Sequence, residues 1–345
     1  MKQLTINIIY LFMALNLFAC KPAKKGEQLK LDWQPGVNAP KHYPIETIFG
    51  SFSNGERGCG ITTGICQYGG WGLGGKEMSS GHFVPNKLTL GWFSYAEDKF
   101  YKGEFDLPAD TMQALFKQGF TGREGTHFRY NYLIVNAYPK GGVALWMDVG
   151  GSRIVEIAHF QGEEMEYNWK SMYPYTTDTR DELNEFVMQQ AKGSLEYIAQ
   201  HGITQEPFKT IFRQRYSYTI ALDSVQHNKP LYIMAEFFNG EMDTMHGEEL
   251  EHNFFKTKAV TKYISFQWVK DRVVYYGKVY FEPKEMFDLF AKMSAECPDE
   301  AYVMHLKPNY NTRKLTVTLS SSTQELEIQQ TGKIGKSINQ DDANM

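Results

Sequence analysis

Apolar residues in this chain fall mostly into short runs bounded by polar turns, and in a few places into helical spacing. Runs such as Leu88 to Tyr95, rich in β-branched and aromatic residues, predict strands. The segment from Pro108 predicts a helix, because proline suits a first turn, Asp110 stands near the N-terminal end, and Met112, Leu115 and Phe116 share one face. Pro283, Glu285, Met286, Phe287 and Phe290 repeat that arrangement. Hairpin turns are expected at Pro139-Lys140-Gly141-Gly142 and at Gly150-Gly151. Thr179-Arg180-Asp181-Glu182 has the form of a capping box. Leu183, Phe186, Val187, Leu195 and Ile198 then recur at helical spacing until Gly202.

Two regions align in the same order. Leu88-Thr89-Leu90-Gly91-Trp92 matches Ile264-Ser265-Phe266-Gln267-Trp268, and Phe100 to Phe105 matches Tyr275 to Tyr280. Pro108 to Met112 matches Pro283 to Phe287, Tyr132 to Val135 matches Tyr302 to His305, and Val155-Glu156-Ile157 matches Leu326-Glu327-Ile328. Offsets of roughly 170 to 176 residues point to domain duplication rather than a solenoid. The expected fold class is therefore α+β, with two tandem, mainly antiparallel β units, each carrying one helix and joined by a helix. The units span 33–170 and 208–330, with a helical linker over 171–207 and a disordered polar tail over 331–345.

The N-terminus changes the picture. Lys2 and an apolar stretch from Ile6 to Phe18, broken by Asn7 and Asn16, suit a signal peptide over 1–19 and are too short to span a bilayer comfortably. Leu17-Phe18-Ala19-Cys20 resembles the lipobox of bacterial lipoproteins, which implies that Cys20 is lipidated and becomes the mature N-terminus. Several acyl chains, at roughly 0.8 kcal/mol per buried methylene, would make that anchor close to permanent. Residues 20–32 form a tether whose lysines favour anionic headgroups. Lys21, rather than Asp, favours the outer membrane under the enteric sorting rule. The expected location is the cell envelope, facing the periplasm.

Composition narrows the partners. The chain has 345 residues, of which 42% are hydrophobic and 22% charged, enough for a sizeable core. A net charge of -4, with no basic block beyond the tether, excludes nucleic acid as a partner. An oxidising periplasm permits disulfides, and the glycine-rich segment between Cys59 and Cys66 is flexible enough to close a small ring; two unpaired thiols on a loop are the alternative. Cys297 is left over and expected to be half buried.

Candidate chemistry is sparse. Gly69-Gly70-Trp71-Gly72-Leu73-Gly74-Gly75 lacks the strand, the following helix and the Gly-Lys-Ser/Thr ending of a phosphate loop, so it is read as a mobile surface loop. His246, Glu249 and His252 would share a helical face, but the spacing fails the zinc-hydrolase pattern and a solvated charged face explains it. No Gly-x-Ser-x-Gly elbow is present. No catalytic residue, metal ligand or cofactor is assigned. Trp92 and Trp268 recur at matching places and are expected in the core, whereas Trp71, on the glycine loop, is the candidate for surface binding.

Leu88 to Phe105, with Trp92-Phe93-Ser94 and Glu97-Asp98-Lys99-Phe100-Tyr101, followed by Leu107-Pro108, resembles a bacterial lipoprotein family known as domain of unknown function 2931. Tyr138 to Trp146, then Gly150-Gly151 and Val155-Glu156-Ile157, extend the resemblance over roughly residues 33 to 170. It implies no activity, cofactor or catalytic residue. Some such lipoproteins are encoded beside interbacterial toxins. A non-enzymatic envelope protein that binds a periplasmic protein or secreted effector is thus the leading expectation, with immunity as its sharpest form. The alternatives are a hydrolase of envelope lipid or glycan and a carbohydrate-binding lipoprotein using Trp71.

Overall fold

The computed structural model describes residues 30–75, 79–223, 229–251 and 255–336. The signal segment, Cys20 and the last nine residues of the polar tail lie outside the described residues.

The local expectations are met where neighbouring residues decide the outcome. Strands Lys87–Ser94 and Lys99–Asp106 pair as a hairpin, as do Thr261–Lys270 and Val273–Tyr280. In the hairpin of Tyr132–Tyr138 and Gly142–Asp148, Lys140 and Gly141 both adopt positive φ (61° and 77°), the twist a tight hairpin turn requires. The helix Ala109–Gln118 buries Met112 and Phe116, and Pro283–Glu296 buries Met286, Phe287, Phe290 and Met293. At Thr179 both halves of the capping box form, the side chain accepting from Glu182 N while the Glu182 carboxylate accepts from Thr179 N at 2.7 Å.

The expected class does not survive. Instead of two separate units with one helix each, a single thirteen-stranded mixed sheet draws strands from both halves of the described chain. In chain names its order is Gln34–Asn38, Tyr132–Tyr138, Gly142–Asp148, Ile154–Gln161, Met242–His246, Lys229–Phe237, Thr261–Lys270, Val273–Tyr280, Glu325–Lys336, Lys314–Ser320, Tyr302–Asn309, Arg215–Leu222 and Lys256–Ala259. Among the described residues two pairings are parallel: Gln34 to Asn38 against Tyr132 to Asn136, and Tyr218 to Leu222 against Tyr302 to Leu306. A second sheet of six antiparallel strands is built around Ile45–Ser53, Lys87–Ser94 and Lys99–Asp106. Seven α-helices occur among the described residues, and the protein is mainly β.

The physical reason is that Ile154 pairs with Met242, which carries the first half's strands across the expected boundary into the second half's sheet. The expected linker is not one helix either. It breaks into Trp169–Met172, Arg180–Gln190, Ser194–His201 and Glu206–Lys209, with Gly193 and Gly202, both with positive φ, bounding the third of these. At the other end, Glu325–Lys336 continues six residues into the expected tail, with Lys333 opposite Lys278 and Lys336 opposite Tyr275.

Among the described residues, three apolar clusters form much of the interior. One wraps the helix Pro283–Glu296 and includes Trp268, Phe266 and Phe290. A second holds Trp146, Tyr138 and Phe208, and a third holds Phe93, Phe100 and Trp169 against Val187 and Met188. Trp92 and Trp268 are buried, as their matching positions suggested.

Candidate functional site

The sheet is weakest where its halves join. Strands Ile154–Gln161 and Met242–His246 are antiparallel and share the single pair Ile154 and Met242, the first residue of each, so beyond it neither strand pairs with the other. Buried backbone groups along an unpaired stretch of strand need other partners. Glu241 Oε1 accepts from Glu156 N at 3.2 Å and from Arg215 Nη2 at 2.7 Å. Glu156 in turn accepts from Arg213 Nε at 2.7 Å and from Asn239 Nδ2 at 3.1 Å, and burial raises its carboxyl pKa against the lowering effect of Arg213. Charged side chains thus do the work that a strand ladder does elsewhere.

The far end of the sheet comes back to this seam. Lys256–Ala259 is the last strand of the order, eight places beyond Met242–His246, yet Lys258 Nζ lies 3.8 Å from Met245 Sδ. The second half of the sheet therefore curls until its ends nearly meet, around the cluster that contains the helix Pro283–Glu296. A hollow of about 220 Å³ remains in the gap. Its walls include Ile154, Phe237 and Met242 as apolar surface and Arg153, Asp243 and Lys258 as charged surface.

Most of the charges around the hollow are paired. Arg153 donates through Nε and Nη2 to Asp243 Oδ1 at 3.0 and 2.5 Å, with its guanidinium 4.7 Å from the Phe120 ring centre. Lys256 Nζ donates to Glu249 Oε1 at 2.7 Å. Lys258 differs: it is 6% exposed, its nitrogen faces a thioether and stands 5.6 Å from the Tyr218 ring centre, and among the described residues no oxygen accepts its hydrogen bonds. Burial lowers its pKa to about 8, with Asp243 and Glu249 opposing that fall and Lys256 and Arg153 adding to it. A buried ammonium with no oxygen acceptor among the described residues, in the wall of a partly apolar hollow, makes this the candidate site.

The residues singled out from sequence fall elsewhere. Cys20 lies outside the described residues. Cys59 stands opposite Phe52 and Cys66 opposite Glu46 on one strand. Their partners are six positions apart on that strand, roughly 20 Å at about 3.3 Å per residue, far beyond the reach of a disulfide. The expected ring is therefore not closed, and the two are unbridged. Burial, with the charge of Glu46, pushes the Cys66 thiol up to about 12, so it stays protonated. Cys297 is buried rather than half buried.

Trp71 is not an open platform. Its ring packs edge-on against Trp146, Tyr138 and Phe208 at 4.8 to 5.6 Å between ring centres. The glycine loop that carries it is docked: Gly72 N donates to Asn136 Oδ1 at 2.9 Å, and a Cβ on Gly72 would stand 2.2 Å from Gly240 O. Of the expected charged face, His246 bonds Thr121 O at 2.8 Å, Glu249 reaches the seam through Lys256, and His252 lies outside the described residues. Among the described residues no group of three His, Cys, Asp or Glu side chains is placed to hold a metal ion.

Lys258 was missed by sequence reasoning. In Lys256-Thr257-Lys258-Ala259 it reads as one more polar position of a short strand, and nothing local marks it as enclosed. No curated protein and no solved structure matches the chain. A family model does, over residues 21–206, more than half of the sequence and wider than the stretch whose motifs carried the resemblance. The chain belongs to the family described as protein of unknown function (DUF2931).

Proposed function

We propose that this protein is a lipid-anchored binding protein of the bacterial envelope, held by acyl chains on Cys20, facing the periplasm, and acting without covalent chemistry of its own. The observation that carries the binding part is Lys258, whose enclosed ammonium sits beside a hollow at the seam with no oxygen acceptor among the described residues. A buried charge left without a counter-charge costs several kcal/mol, and a ligand that supplies one recovers part of that cost. The anchoring part is supported by Leu17-Phe18-Ala19-Cys20 and by the family match, which begins one residue past Cys20. Tethering would raise the protein's effective concentration at the membrane surface. Protection against a secreted antibacterial effector is the sharpest form of this reading.

Two measurements on the host's own protein test it. Wild-type chain should fractionate with membranes and Cys20→Ser should appear in the soluble fraction. The small-molecule fraction of a periplasmic extract should raise the melting temperature of the purified protein. Identical fractionation of the two chains would refute the anchor. An unchanged melting temperature would refute a small-molecule ligand at the seam.

A further inference from the structure

We infer that the seam hollow takes a small organic acid, with an apolar body against Ile154, Phe237 and Met242 and its carboxylate as the counter-charge of Lys258. The inference rests on the binding-protein reading and adds the ligand's class. Three observations carry it.

The first is charge. The hollow is lined by four cationic side chains, Arg153, Arg215, Lys256 and Lys258, and by two carboxylates, Glu241 and Asp243. Counting Glu249, which pairs with Lys256, the balance is still positive by one. The second is pairing. Arg153, Arg215 and Lys256 each hold a carboxylate within 3 Å, whereas the Lys258 ammonium meets sulfur and a ring. The surplus charge thus belongs to Lys258, and a neutral ligand would leave it unanswered. The third is size and lining. About 220 Å³, bounded partly by buried apolar side chains, suits a compact acid with a hydrocarbon part better than a bare, strongly hydrated inorganic anion.

Proton linkage gives a signature that mere structural importance would not. The anion needs Lys258 charged, and burial has brought that group's pKa to about 8 in the free protein. Affinity should therefore hold near neutral pH and fall by up to tenfold per pH unit above about 8. The groups facing Lys258 are Asp243 from the strand Met242–His246, Glu249 from the helix Glu248–Glu251, Arg153, Lys256 on its own strand, and Arg215 and Tyr218 from Arg215–Leu222. A Lys258→Arg variant leaves all of them in place and removes only the titration.

The experiment is calorimetric titration of the full chain with benzoate and hexanoate, beside benzamide, hexanamide and inorganic phosphate. The expected result is that at least one carboxylate binds wild type at least ~10-fold more tightly than its own amide and than phosphate. Lys258→Met should lose at least ~10-fold in affinity for that acid, about 1.4 kcal/mol or more. Lys258→Arg should retain it and show no decline between pH 7 and 9. Equal binding of acid and amide, undiminished binding by Lys258→Met, tighter binding of phosphate, or no binding of either acid would each overturn the inference. If extract still stabilises the protein in any of those cases, the binding reading stands without this ligand class.

Discussion

Replacing Lys258 by methionine should make the protein more stable at neutral pH, although it deletes a buried residue of the proposed site. The side chain is enclosed, and burial is the leading cause of its fall from 10.5 to about 8. At 1.36 kcal/mol per pKa unit this corresponds to a folded-state penalty of ~3 kcal/mol on the ammonium form. Methionine has a similar length, carries no charge and would meet Met245 as one thioether meets another. The sign follows from linkage. Below about 8 both folded and unfolded chains hold the proton and the penalty is felt in full. Between about 8 and 10.5 the folded chain has released its proton while the unfolded chain keeps it, so wild-type stability rises with pH. The advantage of Lys258→Met should thus be ~3 kcal/mol at pH 7 and fall to ~1 kcal/mol by pH 10. Urea unfolding of both chains at the two pH values measures it. A variant that is less stable at pH 7, or a difference that does not change with pH, would show that Lys258 is well solvated or fully paired and that the hollow has no uncompensated charge.

Glu156→Gln should cost about 3 to 5 kcal/mol in the same assay, because Arg213 would be left as a charge without its carboxylate in a largely enclosed place. Gly72→Ala should destabilise far more than Gly150→Ala: both glycines have positive φ, but the first would drive a Cβ against the Gly240 backbone and the second would meet open space. Thr179→Ala should remove about 1 kcal/mol by deleting a formed cap, read as a lower melting temperature with an unchanged fold by circular dichroism. Mass spectrometry of the protein unfolded without reductant should find no Cys59 to Cys66 linkage in peptides from an envelope preparation.

What the sequence disclosed was decided within a few residues. Lys140-Gly141 makes its hairpin turn with both residues at positive φ, which Gly141 adopts freely, and Thr179 with Glu182 caps its helix because both bonds close within four residues. Burial of Met112 and Phe116 follows from helical spacing alone. What stayed hidden was decided between segments far apart in the chain. Nothing near Gln34 says that it will lie parallel to Tyr132, and nothing near Ile154 says that it will carry one half's sheet into the other's through Met242. The cysteines show the same limit: seven positions apart in sequence, they land on separate strands that oppose opposite ends of Ile45–Ser53. Lys258 lies only 13 residues from Met245, but its enclosure also needs Lys256–Ala259 to pair with Arg215–Leu222, a segment much earlier in the chain.

The seam also separates charges that the fold requires from one that it does not. Where Ile154–Gln161 and Met242–His246 part, the amide of Glu156 has lost a neighbouring strand, and Glu241 supplies the acceptor. Once Glu241 and Glu156 are buried there, Arg215, Arg213 and Asn239 are needed to satisfy them. Arg153 and Asp243 extend the pairing, and Glu249 with Lys256 ends it near solvent. Each of these groups has its place explained by a partner. Lys258 satisfies no backbone group and completes no ion pair among the described residues, and an apolar side chain of the same length would pack there at lower cost. A stability argument predicts its absence. Its presence is accounted for by a ligand that brings the missing negative charge.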